Sequence, residues 1–321
     1  MRRLPILWTL LVTTGLSLTL LSQAPVSQQQ PPGGFQVKVN VDLVELPVSV
    51  TDKEGDTVEG LTQNNFQVLE DNVAQEITLF KHEDVPLSMG LVIDSSGSMK
   101  NKKEKVSSAA LSFVKESNPD DETFIVAFDD QAWLQQDFTG SLGDLVDALE
   151  NLDPRLETAL YDAIYLSVDH VRKGRLNKKV LLLISDGEDT SSKWGFNKVL
   201  EHVQQAKDVT IYAVGILDEN DSRSGGLFGR SPQKKAREAL KEIAELTGGQ
   251  AYFPKSIDEV AEICKRIARD LRNQYTVGYL SNSKQDGGWR TIRVNVLNPP
   301  KNAGKIAVKT RTGYFAPGIP K

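Results

Sequence analysis

Asp94, Ser96 and Ser98 alternate through Asp94-Ser95-Ser96-Gly97-Ser98 and offer one carboxylate and two hydroxyls in a single short loop. These are hard oxygen donors of the kind that Mg2+ or Mn2+ accepts, and Gly97 is expected to let the loop curl around an ion. Alone the pattern is weak, because Asp and Ser also cap helices and shape turns. Two further segments add donors of the same chemistry. Thr158 stands just ahead of a helical period in Leu156-Glu157-Thr158-Ala159-Leu160-Tyr161-Asp162. Asp186 follows the unbroken apolar run 180 to 184 and opens Asp186-Gly187-Glu188-Asp189.

Such a site needs strands that end at one edge. From residue 87 onward, short apolar runs at 88 to 93, 123 to 128, 180 to 184, 209 to 214 and 251 to 253 alternate with helical periods. That alternation predicts an α/β fold, a doubly wound and mostly parallel sheet whose carboxyl edge carries the ligand loops. The helical periods are marked by Val106, Ala110 and Phe113, by Leu142, Leu145 and Leu149, and by Leu160, Ile164 and Val171. Further ones follow at Val199 and Val203, at Leu240 and Ile243, and from Ser256, where Glu259 completes a capping box ahead of Val260, Ile263, Ile267 and Leu271. Phe128 and Trp133 are too close for a helical crossover, so 133 to 138 is expected as an antiparallel edge strand.

The flanks read as β-structure. Alternation through Val37, Val39 and Val41 changes phase at Leu43 and Val44, which suggests a bulge or bend, and short strands are expected at 66 to 69 and 77 to 80 around Asp71-Asn72. Three more strands are expected at 275 to 280, 291 to 297 and 306 to 310. Neither flank has enough strands to close a core, so we expect 35–84 and 273–317 to pair as one small β-sandwich-like domain around an inserted 85–272. Separate small β-modules are the alternative.

At Asp94-x-Ser96-x-Ser98, Thr158-Ala159-Leu160-Tyr161-Asp162-Ala163 and Asp186, the chain closely resembles the von Willebrand factor type A domain and its metal ion-dependent adhesion site. The resemblance covers about residues 85 to 272, with the segments in the family's order. It implies a Rossmann-like domain in which Asp94, Ser96, Ser98, Thr158 and Asp186 share one Mg2+ or Mn2+, a partner protein supplies an Asp or Glu to the ion, and no reaction is catalysed. Many relatives have Gly-Gly before the threonine. Here Leu156-Glu157 stands instead, and Glu157 either lies at the rim of the site or points to solvent. The flanking Phe66-x-Val68-Leu69-Glu70-Asp71-Asn72 and the ending Thr312-Gly313-Tyr314-Phe315 look like a bacterial family of exported proteins carrying this domain.

Composition limits the alternatives. The 321 residues carry 38 Lys and Arg against 43 Asp and Glu, a formal charge of −5, which disfavours nucleic acid as a partner. Cys264 is the one cysteine and has no internal disulfide partner. Arg2 and Arg3 precede an uncharged run over 4 to 22, so 1–24 reads as a signal peptide or, uncleaved, as an inner-membrane anchor, and 25–34 as a linker. The expected location is periplasmic, cell-surface or secreted, with membrane contact only through that segment. A metal-dependent hydrolase is the rival class, but His82, His170 and His202 lie in unrelated segments and no motif sets a base beside Ser96 or Ser98. An envelope assembly or regulatory scaffold would use the same site. Trp194 is a candidate contact at its rim, Leu227 and Phe228 in the Gly-rich stretch 222 to 232 could meet a partner, and Lys102, Lys103 and Lys105 read as a solvated helix start.

Overall fold

The computed structural model describes residues 42–152, 157–217, 232–300 and 303–318. The signal or anchor segment 1–24, the linker 25–34, residues 35–41, and Leu227 and Phe228 lie outside the described residues.

Strands β1 (Asp42–Thr51), β2 (Phe66–Glu70), β3 (Val73–Gln75) and β4 (Ile77–Lys81) precede the alternating part of the chain. That part runs β5 (Leu87–Asp94), α1 (Lys103–Glu116), β6 (Glu122–Phe128), β7 (Ala132–Thr139), α2 (Leu142–Glu150), α3 (Leu160–Val171), β8 (Lys178–Ser185), α4 (Phe196–Gln205), β9 (Val209–Gly215), α5 (Pro232–Thr247), β10 (Ala251–Tyr252) and α6 (Val260–Arg272). Strands β11 (Tyr275–Ser281), β12 (Trp289–Val296), β13 (Ala307–Lys309) and β14 (Gly313–Phe315) follow.

Every residue of β5, β6 and β9 is buried, as expected of strands covered on both faces by helices. They lie in a six-stranded sheet of order β10-β9-β8-β5-β6-β7, parallel except for the antiparallel edge pair β6 and β7. Phe113 of α1, Leu145 and Leu149 of α2, and Ile267 of α6 pack on one face, while Ile164 of α3, Val203 of α4 and Ile243 of α5 pack on the other. This is the doubly wound α/β architecture that the apolar periods predict.

The remaining strands make two four-stranded sheets, β13-β1-β11-β4 and β14-β12-β2-β3, around a common core that includes Leu46, Val48, Phe66, Val68, Val277 and Val294. Each sheet mixes strands from before and after the α/β part, for instance β1 with β11 and β2 with β12. A buried polar knot joins sandwich and α/β part. The Ser49 hydroxyl and the Tyr212 hydroxyl donate to Asp270 Oδ2 at 3.0 and 2.8 Å, and Gln274 Nε2 donates to both hydroxyl oxygens at 3.0 Å.

The structure differs from the sequence reading in several places. No break separates Leu43 from Val44: the two continue one register, facing Leu280 and Tyr279, and the phase change leaves Leu43 on the outer face, 47% exposed. β3 carries only Val73 as a strongly apolar residue and is too short to show alternation. It exists because Asp71 and Asn72 adopt φ of 48° and 64°, the pair of positive values that a tight hairpin turn needs. β14, also three residues long, is recruited to β12 by Trp289, Arg290 and Thr291. Finally, Ser256 caps Asp258 N at 3.1 Å, but the Glu259 carboxylate accepts from Lys255 N at 3.0 Å rather than from Ser256, so a 3-10 turn over Ile257–Glu259 leads into α6. In α6 the position buried beside Val260, Ile267 and Leu271 is Cys264, while Ile263 is half-buried.

Candidate metal centre

Parallel strands β5 and β8 are neighbours in register, Ile93 beside Ile184, so Asp94 and Asp186 emerge side by side at the carboxyl edge. The loop after β5 is pinned to β6, since Ser95 donates to Phe128 O from its N–H at 2.8 Å and from its hydroxyl at 3.1 Å. Asp94, 3% exposed, accepts from Ser96 N at 2.9 Å and from the Ser185 hydroxyl at 2.6 Å. The Ser96 and Ser98 hydroxyls lie 3.0 Å apart, and the Ser98 hydroxyl donates to Asp186 Oδ2. Gly187 N closes the ring by donating to Ser185 Oγ at 2.9 Å. The left-handed conformation this turn needs falls on Gly187, φ 80°, whereas Gly97 opens a 3-10 turn over Gly97–Lys102.

Thr158 is buried in the adjoining loop. Its N–H donates to Thr190 Oγ1 at 3.0 Å, and its carbonyl accepts from Thr190 N and Ser191 N at 2.8 and 3.1 Å. Among the described residues no hydrogen bond joins it to Asp94, Ser96, Ser98 or Asp186. The structure therefore links four of the five expected ligands directly and brings the fifth through the loop after β8.

Burial, and after it the negative charge of Asp186, pushes the Asp94 carboxyl up to about 6, against the hydrogen bonds from Ser185 and Ser96 that pull it down. No Lys or Arg pairs with Asp94 or Asp186 among the described residues. All donors are oxygen, which suits Mg2+ or Mn2+ better than the nitrogen and sulfur sets that favour zinc. No group of three or more His, Cys, Asp or Glu is placed to hold a metal ion among the described residues, and this site holds two carboxylates plus hydroxyls.

Asp129 escaped the sequence reading. It is 1% exposed at the end of β6, and its carbonyl accepts from Ala159 N, so it stands between the Ser95 and Thr158 loops. The signal was present: like Asp94 and Asp186, it directly follows an apolar strand. Asp162 and Asp189 are organisers of the rim. Asp162 accepts from Lys193 N and Trp194 N at 3.1 and 3.0 Å, and Asp189 accepts from Tyr161 N at 3.1 Å and from the Ser192 hydroxyl at 2.5 Å.

Glu157 points to solvent. Trp194 is 43% exposed and stacks on Tyr165 of α3, at 5.2 Å between ring centroids. Of the three lysines expected as a solvated helix start, Lys105 stays exposed, while Lys102 and Lys103 turn to backbone carbonyls. Lys103 Nζ donates to Glu150 O at 2.9 Å at the end of α2, Lys102 Nζ reaches Ile216 O at 3.5 Å, and Lys105 pairs with Asp258 at 2.6 Å. Terminal helix carbonyls lack intrahelical partners and attract cations, which is why Lys103 turns inward. His170 contacts Asp137 at 2.9 Å, His202 stacks on Tyr165 and His82 on Tyr275, so none is hydrogen-bonded to Ser96 or Ser98 among the described residues.

Comparison with known proteins fits this geometry. Residues 89–188 match the family described as von Willebrand factor type A domain, which takes in Asp94, Ser96, Ser98, Thr158 and Asp186. A protein of Synechocystis sp., itself uncharacterized, is 32% identical over 140 residues, which are 42% of this chain and 33% of that protein, so the match spans about a third of the relative's length. The fold is also similar to that of a von Willebrand factor type A protein from Catenulispora acidiphila, at 11% identity and a TM-score of 0.49 over 87% of this chain and 75% of that one. Similarity to the vWF domain of a type V pili tip protein from Porphyromonas gingivalis is at 16% identity and a TM-score of 0.46 over 58% and 95%. Over residues 89–188 the chain is thus similar to the von Willebrand factor type A domain.

Proposed function

We propose that the chain is a divalent-cation-dependent protein-binding module of the bacterial cell envelope, and that Asp94, Ser96, Ser98, Thr158 and Asp186 hold Mg2+ or Mn2+ for a partner's Asp or Glu. The observation that carries the reading is the meeting of the Asp94 and Asp186 carboxylates beside the Ser96 and Ser98 hydroxyls, with no Lys or Arg paired to either among the described residues. Asp94 is held out of water beside a second carboxylate, which raises the cost of its own ionisation, and a divalent ion reverses that sign. Bound there, the ion would supply an electrophilic centre for one further oxygen ligand.

The chain's own residues prepare that contact. Ser185 and Ser96 orient Asp94 through its two oxygens, and Ser98 orients Asp186. Asp162 and Asp189 fix the loop that carries Trp194, the exposed ring we assign to contact with the partner. Binding, orientation and exclusion of water are all that these groups are asked to do, and no reaction is assigned to them. The N-terminal segment 1–24 supports export.

Calorimetric titration of the protein with Mg2+ or Mn2+ tests the reading. We expect a saturable heat that Asp94→Ala abolishes, and equal heats from both proteins would overturn it. A partner recovered from envelope extract should be released by chelator and held more weakly by Thr158→Ala.

A further inference from the structure

Helix α3 begins without a cap of its own. Ala159 stands at the N-cap position and has no side-chain oxygen, so the free N–H groups of the first turn need acceptors from elsewhere. The loop after β8 supplies them. Asp189 Oδ1 accepts from Tyr161 N and Ser192 Oγ accepts from Asp162 N, each at 3.1 Å. These are the second and third residues of the helix, the positions whose N–H groups a local N-cap side chain would meet. The Ser192 hydroxyl in turn donates to Asp189 Oδ1 at 2.5 Å, so carboxylate and hydroxyl form one borrowed cap.

The two ends of this cap lead to two expected cation ligands. Thr158 directly precedes Ala159, and Asp186 opens the loop in which Asp189 and Ser192 stand. The main chain of Thr158 is held by the same loop, since its N–H donates to Thr190 Oγ1 and its carbonyl accepts from Thr190 N and Ser191 N. On the other side Asp129 O holds Ala159 N. Among the described residues no hydrogen bond joins Thr158 to Asp94, Ser96, Ser98 or Asp186. Its place relative to Asp186 is therefore passed along segment 189–192 into the first turn of α3.

We propose that Asp189 is a positioning residue of the cation site, which acts through Thr158: by capping α3 from the Asp186 loop, it keeps Thr158 in register with Asp186. The inference rests on the cation reading above. Because the role is geometric, position 189 needs an acceptor oxygen, and its charge is dispensable.

Calorimetric titration of the full chain with Mg2+ alone tests this. Asp189→Ala should weaken Mg2+ binding about tenfold, the loss expected when a group that orients a ligand is removed. Asp189→Asn keeps an oxygen for Tyr161 N and should restore the affinity to within about threefold of the wild type. In the Thr158→Ala background Asp189→Ala should cost nothing further, because its route to the ion is gone. Ser192→Ala should show the same dependence on Thr158 with a smaller loss, and it carries the test if Asp189→Ala does not fold. The cation reading stands if Asp94→Ala abolishes the wild-type heat. With that control met, three results would each overturn the proposal alone: an affinity unchanged by Asp189→Ala, an equal loss from Asp189→Asn, or a loss that persists undiminished without Thr158. A wild-type heat that Asp94→Ala leaves unchanged ends the cation reading, and this proposal with it.

Discussion

Glu70 and Asp94 are both buried carboxylates, 1% and 3% exposed, both ringed by hydroxyls, and they behave in opposite ways. Glu70 ends β2 in the sandwich. It accepts from Tyr279 at 2.5 Å, Ser281 at 2.9 Å and Tyr314 at 3.1 Å, and also from Ser283, so residues of both four-stranded sheets close on one charge. Burial alone would raise its pKa, but these four donors together hold it below the usual carboxylate value. Asp94 has fewer donors and faces a second carboxylate, and burial followed by the Asp186 charge pushes it up to about 6. A charge whose lone pairs are all met within the fold is a structural rivet. A charge left short of donors, next to another of the same sign, is a place for a cation.

Removing the rivet should have the largest effect. Glu70→Ala strands the hydroxyls of Tyr279 and Tyr314 and should cost on the order of 3 kcal/mol in urea unfolding, with the heat of Mg2+ binding retained by the folded protein. Asp94→Ala should do the reverse. In chelator it relieves repulsion with Asp186 and costs little, but it forfeits the stabilisation of about 2.7 kcal/mol expected when the cation exceeds its Kd a hundredfold. A wild-type unfolding midpoint that ignored Mg2+ would collapse the comparison.

The pH dependence of stability should have opposite signs at the two sites. In chelator, the raised Asp94 value means its contribution is fully present below 3.8 and is lost as pH rises through about 6, so the wild type gains relative to Asp94→Asn as pH falls across that window. The lowered Glu70 value means its contribution is present above 4.5 and is lost as pH falls through its folded value. Unfolding midpoints of wild type, Asp94→Asn and Glu70→Gln across this range separate the two slopes, and excess Mg2+ should reverse the Asp94 slope while leaving that of Glu70. The smallest effect comes from deleting one donor at each site. Tyr279→Phe should cost about 1 kcal/mol of stability with no change in cation affinity, whereas Ser185→Ala should weaken cation binding severalfold, because Asp94 loses the hydroxyl that orients it.

The sequence by itself determined the doubly wound sheet and the placing of Asp94 and Asp186 at its edge, because both are written locally. Strands buried on two faces must be apolar throughout, and an Asp placed directly after such a strand has to emerge at the sheet's carboxyl edge, so Asp94 and Asp186 were readable from their neighbours alone. The antiparallel strand β7 was equally legible, since a five-residue gap leaves no room for a helix. Pairing of the chain's two ends followed from a shortage of strands. What only the tertiary structure decided is which groups answer which charges. Glu70 stands in Val68-Leu69-Glu70-Asp71 like any surface acid, and its four donors come from as far away as Tyr314. Lys103 has the local look of a solvated cation until the open carbonyl end of α2 arrives beside it. Periodicity encodes burial one residue at a time, but the electrostatic balance of a buried group is a sum over partners that folding alone brings within reach.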